Sequence, residues 1–254
     1  MKIFVLPDAH VKPNTPLEHL EYAGRWCAEK HVDHIVCLGD FADMESLSSY
    51  DIGKKSFEGR RYTYDIGVAQ EGLRYFLGPI RDEQYRLRRN KERQWNPKLT
   101  MLLGNHENRI NRAVNNDSKL DGLISVDDLL YEEWGWDVIP YLQVKVIEGV
   151  AFSHYFVSGV MGRPVGSARM LLTKHHMSCV AGHLQGKDLA YSKSADGRTM
   201  TAIIAGSYYQ HEEEYLNAQT NVHWRGCFQL NDVDNGDFDE LPLSLKYLKN
   251  KYGK

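Results

Sequence analysis

Asp8 and His10 follow the apolar run at residues 3–6, Asp40 follows Cys37-Leu38-Gly39, and Asn105 and His106 follow Leu102-Leu103-Gly104. His154 closes the run at residues 150–153, and His183 follows Val180-Ala181-Gly182. Carboxylate, imidazole and amide groups with no thiolate among them suit divalent ions such as Mn²⁺, Fe²⁺ or Zn²⁺, not a structural zinc held by four cysteines. A carboxylate has two oxygens, so one aspartate can bridge a pair of ions about 3.5 to 4 Å apart, where a hydroxide between them attacks phosphorus in line. Taken singly, each Asp or His is more often a solvated or structural residue than a ligand. Their joint placement after successive predicted strands is what argues otherwise, because ligands in α/β folds gather at that edge.

The blocks Asp8-Ala9-His10, Gly39-Asp40-Phe41-Ala42-Asp43, Gly104-Asn105-His106-Glu107, His154 and Gly182-His183-Leu184-Gln185 stand in that order within residues 3–207. In type and order they resemble the motifs of the calcineurin-like metallophosphoesterase superfamily. The resemblance implies an α/β fold, a four-layer αββα sandwich of two mixed β-sheets packed face to face with helices outside. It implies two divalent metal ions, one held by Asp8, His10 and Asp40, the other by Asp40, Asn105, His154 and His183, with Asp40 as the bridge. Mn²⁺ is the expected metal, with Fe, Zn, Ni or Mg as alternatives. His106 would bind the substrate phosphate with Asn105 and protonate the leaving oxygen, a role suited to a near-neutral pKa; Glu107 or Asp43 would orient it. The sequence departs from the pattern at Gln185, where many members carry a second histidine. An amide oxygen there is expected to serve as a weaker ligand and to alter metal preference.

Arg109 lies close enough to His106 in sequence to grip two oxygens of a substrate phosphate, although a solvated helix position explains it equally well. Ser207, Tyr208, Tyr209 and His211 are weaker candidates, read either as a packed loop or as an aromatic rim. His19, His31 and His34 are assigned to a surface helix or its flank, and His175-His176 to a helix end where positive charge suits the dipole. The acidic stretch at residues 231–240 fails the calcium-loop test, since Gly236 comes one place early when Asp232 is counted first; Asn235-Gly236 reads as a turn.

Positioning these residues requires a β-α-β start. Residues 2–6 and 34–38 read as strands around a helix carrying Leu17, Leu20, Ala23, Trp26 and Cys27, which implies a parallel sheet. Residues 64–77 have helical spacing, Gly78-Pro79 is expected to end that helix, and a second is predicted over 81–93 before a strand at 99–103. A polar helix follows to residue 113, then one near 126–134. Beyond these the pattern turns strand-rich: a hairpin about Glu148-Gly149, then strands at 177–181, 189–192, 199–205, 223–230 and 243–248. Periodicity alone reaches an α/β or α+β class with two packed sheets.

The 254 residues suit one domain spanning 1–254, with 42% hydrophobic and 26% charged residues as in ordinary globular proteins. Apolar runs are far shorter than the roughly 20 residues that cross a bilayer, so no membrane partner is expected, and residues 1–6 read as a strand rather than a leader. Four scattered cysteines predict a reducing, cytoplasmic setting. The net charge of −3 hides a basic helical insertion at about 54–98, with 12 Lys and Arg against 6 acids. That segment is expected beside the site mouth, where its cations and aromatics would receive nucleic acid, although such charge runs are usually solvated helix faces. The activity expected is hydrolysis of phosphodiesters in a nucleotide or nucleic acid. Alternatives are a phosphomonoesterase acting on nucleotides or phosphoproteins, and a non-catalytic nucleic-acid-binding protein.

Overall fold

The computed structural model describes residues 1–49, 53–212 and 223–253. The strands are β1 (Ile3–Leu6), β2 (His34–Cys37), β3 (Lys98–Leu102), β4 (Asp137–Ile139), β5 (Lys145–Ile147), β6 (Val150–Ser153), β7 (Val157–Ser158), β8 (Arg163–Pro164), β9 (Ser178–Ala181), β10 (Lys187–Lys193), β11 (Thr199–Ala205), β12 (Gly226–Asp234) and β13 (Asp237–Ser244). The helices are α1 (Glu18–Lys30), α2 (Tyr62–Arg89), α3 (Asn108–Asn116), α4 (Ala168–His175) and α5 (Leu245–Tyr252).

One sheet runs β13-β12-β1-β2-β3-β4 and is parallel from β1 to β4. The other runs β10-β11-β9-β6-β5, with β9 parallel to both of its neighbours. Strand side chains alternate between faces, and here both faces are covered, so the central strands are apolar throughout. Ile3, Val5, Val36 and Leu38 meet Phe152, Val180 and Ile203 between the sheets. Phe4, Leu6, Ile35 and Cys37 point outward into the core under α1, α2 and α5. Ala151, Cys179 and Ile204 face α4 on the far side. The molecule is therefore the four-layer αββα sandwich. Among the described residues no helix is long and apolar enough to cross a membrane.

Several sequence expectations are corrected. Gly78-Pro79 does not end a helix: α2 is continuous over 28 residues with Pro79 inside it. The expected helix near 126–134 shrinks to a 3-10 turn at Val126–Leu129, stopped by Leu130 in the left-handed region at φ 58°. The predicted strand at 243–248 is the end of β13 and the start of α5, whose first turn is capped by Ser244 Oγ accepting from Tyr247 N–H. Residues 231–240 are no loop but the facing ends of β12 and β13 around the expected Asn235-Gly236 turn, with φ 48° and 89°. His19 is buried on α1, not solvated, whereas His34 opens β2 as the strand reading of 34–38 expects, bonded through Nε2 to Thr100 Oγ1.

The basic segment also lies elsewhere than expected. α2 runs from the edge where the parallel strands end back to the edge where they begin, because Glu83 meets His31 just before β2 and Trp95 Nε1 donates to Val32 O. Arg86 is held there by Glu83 and Glu92. Only the Arg60 end, paired with Glu45, lies towards the C-terminal tips of the strands.

Candidate metal centre

The loops after β1, β2, β3, β6 and β9 bring every predicted ligand to one edge of both sheets. Glycines permit the approach: a Cβ on Gly104 would lie 2.1 Å from Asp40 Oδ1, and one on Gly182 would lie 2.4 Å from Asp8 Oδ1. The backbone is bent at the same places. His10, Asp40, His183 and Gln185 all have φ between 42° and 66°, a region that costs a side-chain-bearing residue roughly 1–2 kcal/mol and that clusters at functional sites.

The ligand atoms of His10, Asp40 and His106 lie within 4.8 Å of one another, as do those of Asp40, His154 and His183. Asp40 is common to both groups. Its Oδ2 is 3.3 Å from His154 Nε2 and 3.9 Å from His10 Nε2. Asp8 Oδ2 is 4.0 Å from His10 Nε2, and Asn105 Oδ1 is 2.9 Å from His154 Nε2. His154 Nδ1 contacts the Leu38 carbonyl at 2.9 Å; donation there leaves the Nε2 lone pair facing the two oxygens, the tautomer a metal ligand needs.

A second set of side chains holds these in place. Glu107 is fully buried and accepts from the backbone N–H of Asp40, Ala42 and Gly104 at 2.8 to 3.0 Å, and from Tyr131 Oη. It ties the loops after β2 and β3 together and does not orient His106. Asp43 does that: its Oδ1 is 2.8 Å from His106 Nδ1. Arg109 is beside them, donating to Asp43 O at 2.8 Å with its other terminal nitrogen 3.2 Å from His106 Nε2. Gln185 lies against His10 at 3.1 Å and accepts from Tyr209 Oη at 2.8 Å.

The electrostatics are those of a site short of positive charge. Burial, with Asp40 close by, raises the Asp8 carboxyl to about 7. Burial acts on Asp40 too, but His106 and His154 outweigh it and hold that carboxyl well below its usual range. Burial works against charge on His154, yet Asp40 and Asp8 raise it to about 9. His106 is likewise raised, because Asp40 and Asp43 overcome its desolvation. His183 is lowered to about 4 by burial and by His154. A buried carboxylate that ionises only near neutrality, opposite imidazole nitrogens and an amide oxygen, suits a divalent cation, which would favour the ionised acid and the neutral imidazoles. The donor set fits the metals implied by the motifs.

The sequence-derived site residues Asp8, His10, Asp40, Asn105, His106, Arg109, His154, His183 and Gln185 thus come together. Of the weaker candidates, Tyr209 packs its ring against His10 at 5.4 Å and His211 stacks on Tyr209. Ser207 and Tyr208 are buried, and Tyr208 Oη donates to His19 O. Sequence reasoning missed His223, whose Nδ1 is 2.8 Å from Tyr209 Oη, and Tyr155, whose ring lies over His183. Neither stands in a motif, so no sequence signal marked them.

The four layers and the donor set at the common strand edge are those that the motif resemblance implies. No protein-family model matches the chain, and no curated protein is similar to it at a significant level. Among solved structures it is similar to Yfce, a phosphoesterase from E. coli, at 12% identity over 96% of this chain and 100% of that one, with a TM-score of 0.40. It is also similar to wild-type Vps29 complexed with Zn²⁺ from Entamoeba histolytica, at 11% identity over 96% and 99%, with a TM-score of 0.42.

Proposed function

We infer that the chain is a metal-dependent phosphoesterase that cleaves phosphodiesters. The observation that carries this reading is the pair of ligand triads sharing Asp40, with the Asp43-bound His106 in one of them. Asp8, His10, Asp40 and Gln185 would hold one ion, and Asp40, Asn105, His154 and His183 the other. Bound there, such ions would acidify water to make a nucleophile and neutralise charge on phosphate oxygens.

The chain's own residues do the rest. Asp43 takes the Nδ1 side of His106 and raises its proton affinity, which favours a proton on Nε2 for delivery to the departing oxygen. Asn105, whose Oδ1 is 2.9 Å from His154 Nε2, would donate from its amide nitrogen to a phosphate oxygen. Arg109 is already bonded to Asp43 and Met44 O, so the positive charge it offers substrate is limited. This favours the singly charged phosphodiester over the nearly dianionic monoester. Nucleic acid as the diester would meet the Arg60 end of the basic segment, since the Arg86 end lies at the opposite edge.

With Mn²⁺, hydrolysis of bis-p-nitrophenyl phosphate is expected to exceed that of p-nitrophenyl phosphate. The reverse ranking rejects the diester assignment in favour of a monoesterase. Salt-sensitive DNA binding without turnover of either ester would mark a non-catalytic protein.

A further inference from the structure

Gln185 stands where the motif pattern has its second histidine, and its side-chain amide is bounded at both ends. One terminal atom lies 3.1 Å from His10 Nε2 and the other 2.8 Å from Tyr209 Oη. Tyr209 is fully buried, and the same hydroxyl is 2.8 Å from His223 Nδ1. The two ends of an amide are alike in shape and opposite in hydrogen bonding, so its neighbours decide which way it faces.

Two orientations satisfy this chain. In the first, Tyr209 donates to Gln185 Oε1, His223 donates from Nδ1 to the tyrosine oxygen, and Gln185 Nε2 donates to His10 Nε2. That arrangement occupies the lone pair with which His10 would bind a cation. In the second, the amide is turned over: Nε2 donates to Tyr209 Oη, Tyr209 donates to His223 Nδ1, and Oε1 faces the same space as His10 Nε2. At a separation of 3.1 Å the two atoms would both reach one ion in this second state.

We propose that Tyr209 and His223 are positioning residues that turn the Gln185 oxygen onto the ion shared with His10. The Gln185-Tyr209-His223 chain thereby replaces the absent histidine. The proposal rests on the metal-dependent reading above and deepens it. An amide oxygen is a harder ligand than an imidazole nitrogen, so the site built this way favours Mn²⁺ or Mg²⁺ over Zn²⁺ relative to a histidine-bearing one.

The test reads ion binding, not turnover. Mn²⁺ is titrated into metal-stripped full-length protein while the EPR signal of free Mn²⁺ is followed. Wild type is expected to take up two ions. Tyr209→Phe keeps the ring and its packing, and is expected to bind one ion as before and the other about 10- to 100-fold more weakly. A histidine has no amide to turn, so Gln185→His in the Tyr209→Phe background should restore the second tight ion and move competition towards Zn²⁺. Two ions in wild type with unchanged affinities in Tyr209→Phe would overturn the role of Tyr209 and leave the metal-dependent reading standing. A lost ion that Gln185→His does not restore indicates a packing role and overturns it equally. Wild type binding one ion ends this proposal alone, and wild type binding none ends both.

Discussion

At the scale of the residue, the proposed site divides into groups that would hold ions, a group that would move a proton and groups that hold the loops. Asp40→Asn keeps the side chain's shape but removes the bridging charge, and is expected to abolish ester hydrolysis and to lower bound Mn²⁺ measured by elemental analysis. His106→Ala is expected to lower kcat by 10²-fold or more, on the order of general-acid contributions, with metal content preserved. Loss of metal in that variant would instead make His106 a ligand, as its place beside His10 and Asp40 allows. Glu107 tests the third class. Its carboxylate accepts three backbone N–H groups in a fully buried place, so Glu107→Ala leaves those donors without an acceptor. At about 1–3 kcal/mol for each unsatisfied group, a loss of at least about 3 kcal/mol is expected in urea denaturation, with chelator present so that metal plays no part.

At the scale of the element, the strands were legible because the core covers both faces of each sheet, leaving short apolar runs such as residues 3–6, between Lys2 and Pro7, and 35–38, between His34 and Gly39. The continuity of α2 was not, because Gly78-Pro79 reads locally as a stop. An interior proline costs about 3 kcal/mol, whereas Leu73, Phe76, Leu77, Ile80 and Leu87 on the same helix are buried at about 1.5–3 kcal/mol each. Tertiary burial wins, and a window of local sequence does not contain it. The close approach of α1 makes the packing testable. A Cβ on Gly24 would lie 2.1 Å from Phe76 O, whereas Gly67 on the exposed face of α2 has nothing within 4 Å of such an atom. Gly24→Ala is therefore expected to destabilise by about 1–3 kcal/mol, as overpacking does. Gly67→Ala should stabilise by about 0.5–1 kcal/mol through helix propensity. Paired urea melts in which both substitutions act alike would contradict the packing account.

At the scale of the whole molecule, the proposed ligands were readable because each follows a predicted strand, and their convergence followed from parallel strands ending at one edge. What supports them from a distance was not readable. His223 reaches the site only through Tyr209, and α2 carries most of its arginines away from the mouth because a connection between parallel strands must return to the edge where strands begin. His19 escaped for the same reason: on α1 it looks like a surface position, but Tyr208 packs against it, with ring centroids 5.3 Å apart. Burial and the charge of His211 lower its pKa to about 3, outweighing the backbone of Tyr208 and Pro16, which acts the other way. The sign of the consequence follows from which state binds protons. Above pH 6.5 the ring is neutral in both folded and unfolded chains and contributes no pH term. Below 6.5 the unfolded chain takes up a proton that the native ring refuses until about pH 3, so stability falls as pH falls, by up to about 1.4 kcal/mol per unit. The ionisable metal ligands add slopes of their own, so the measurement is the difference between wild type and His19→Leu, both with chelator. From pH 6.5 to 5 the variant should gain about 1.6 kcal/mol on wild type in urea denaturation, while above pH 7.5 the gap should be nearly flat. A gap that stays constant through the acid range would mean that the native state already accommodates a charged ring beside Tyr208.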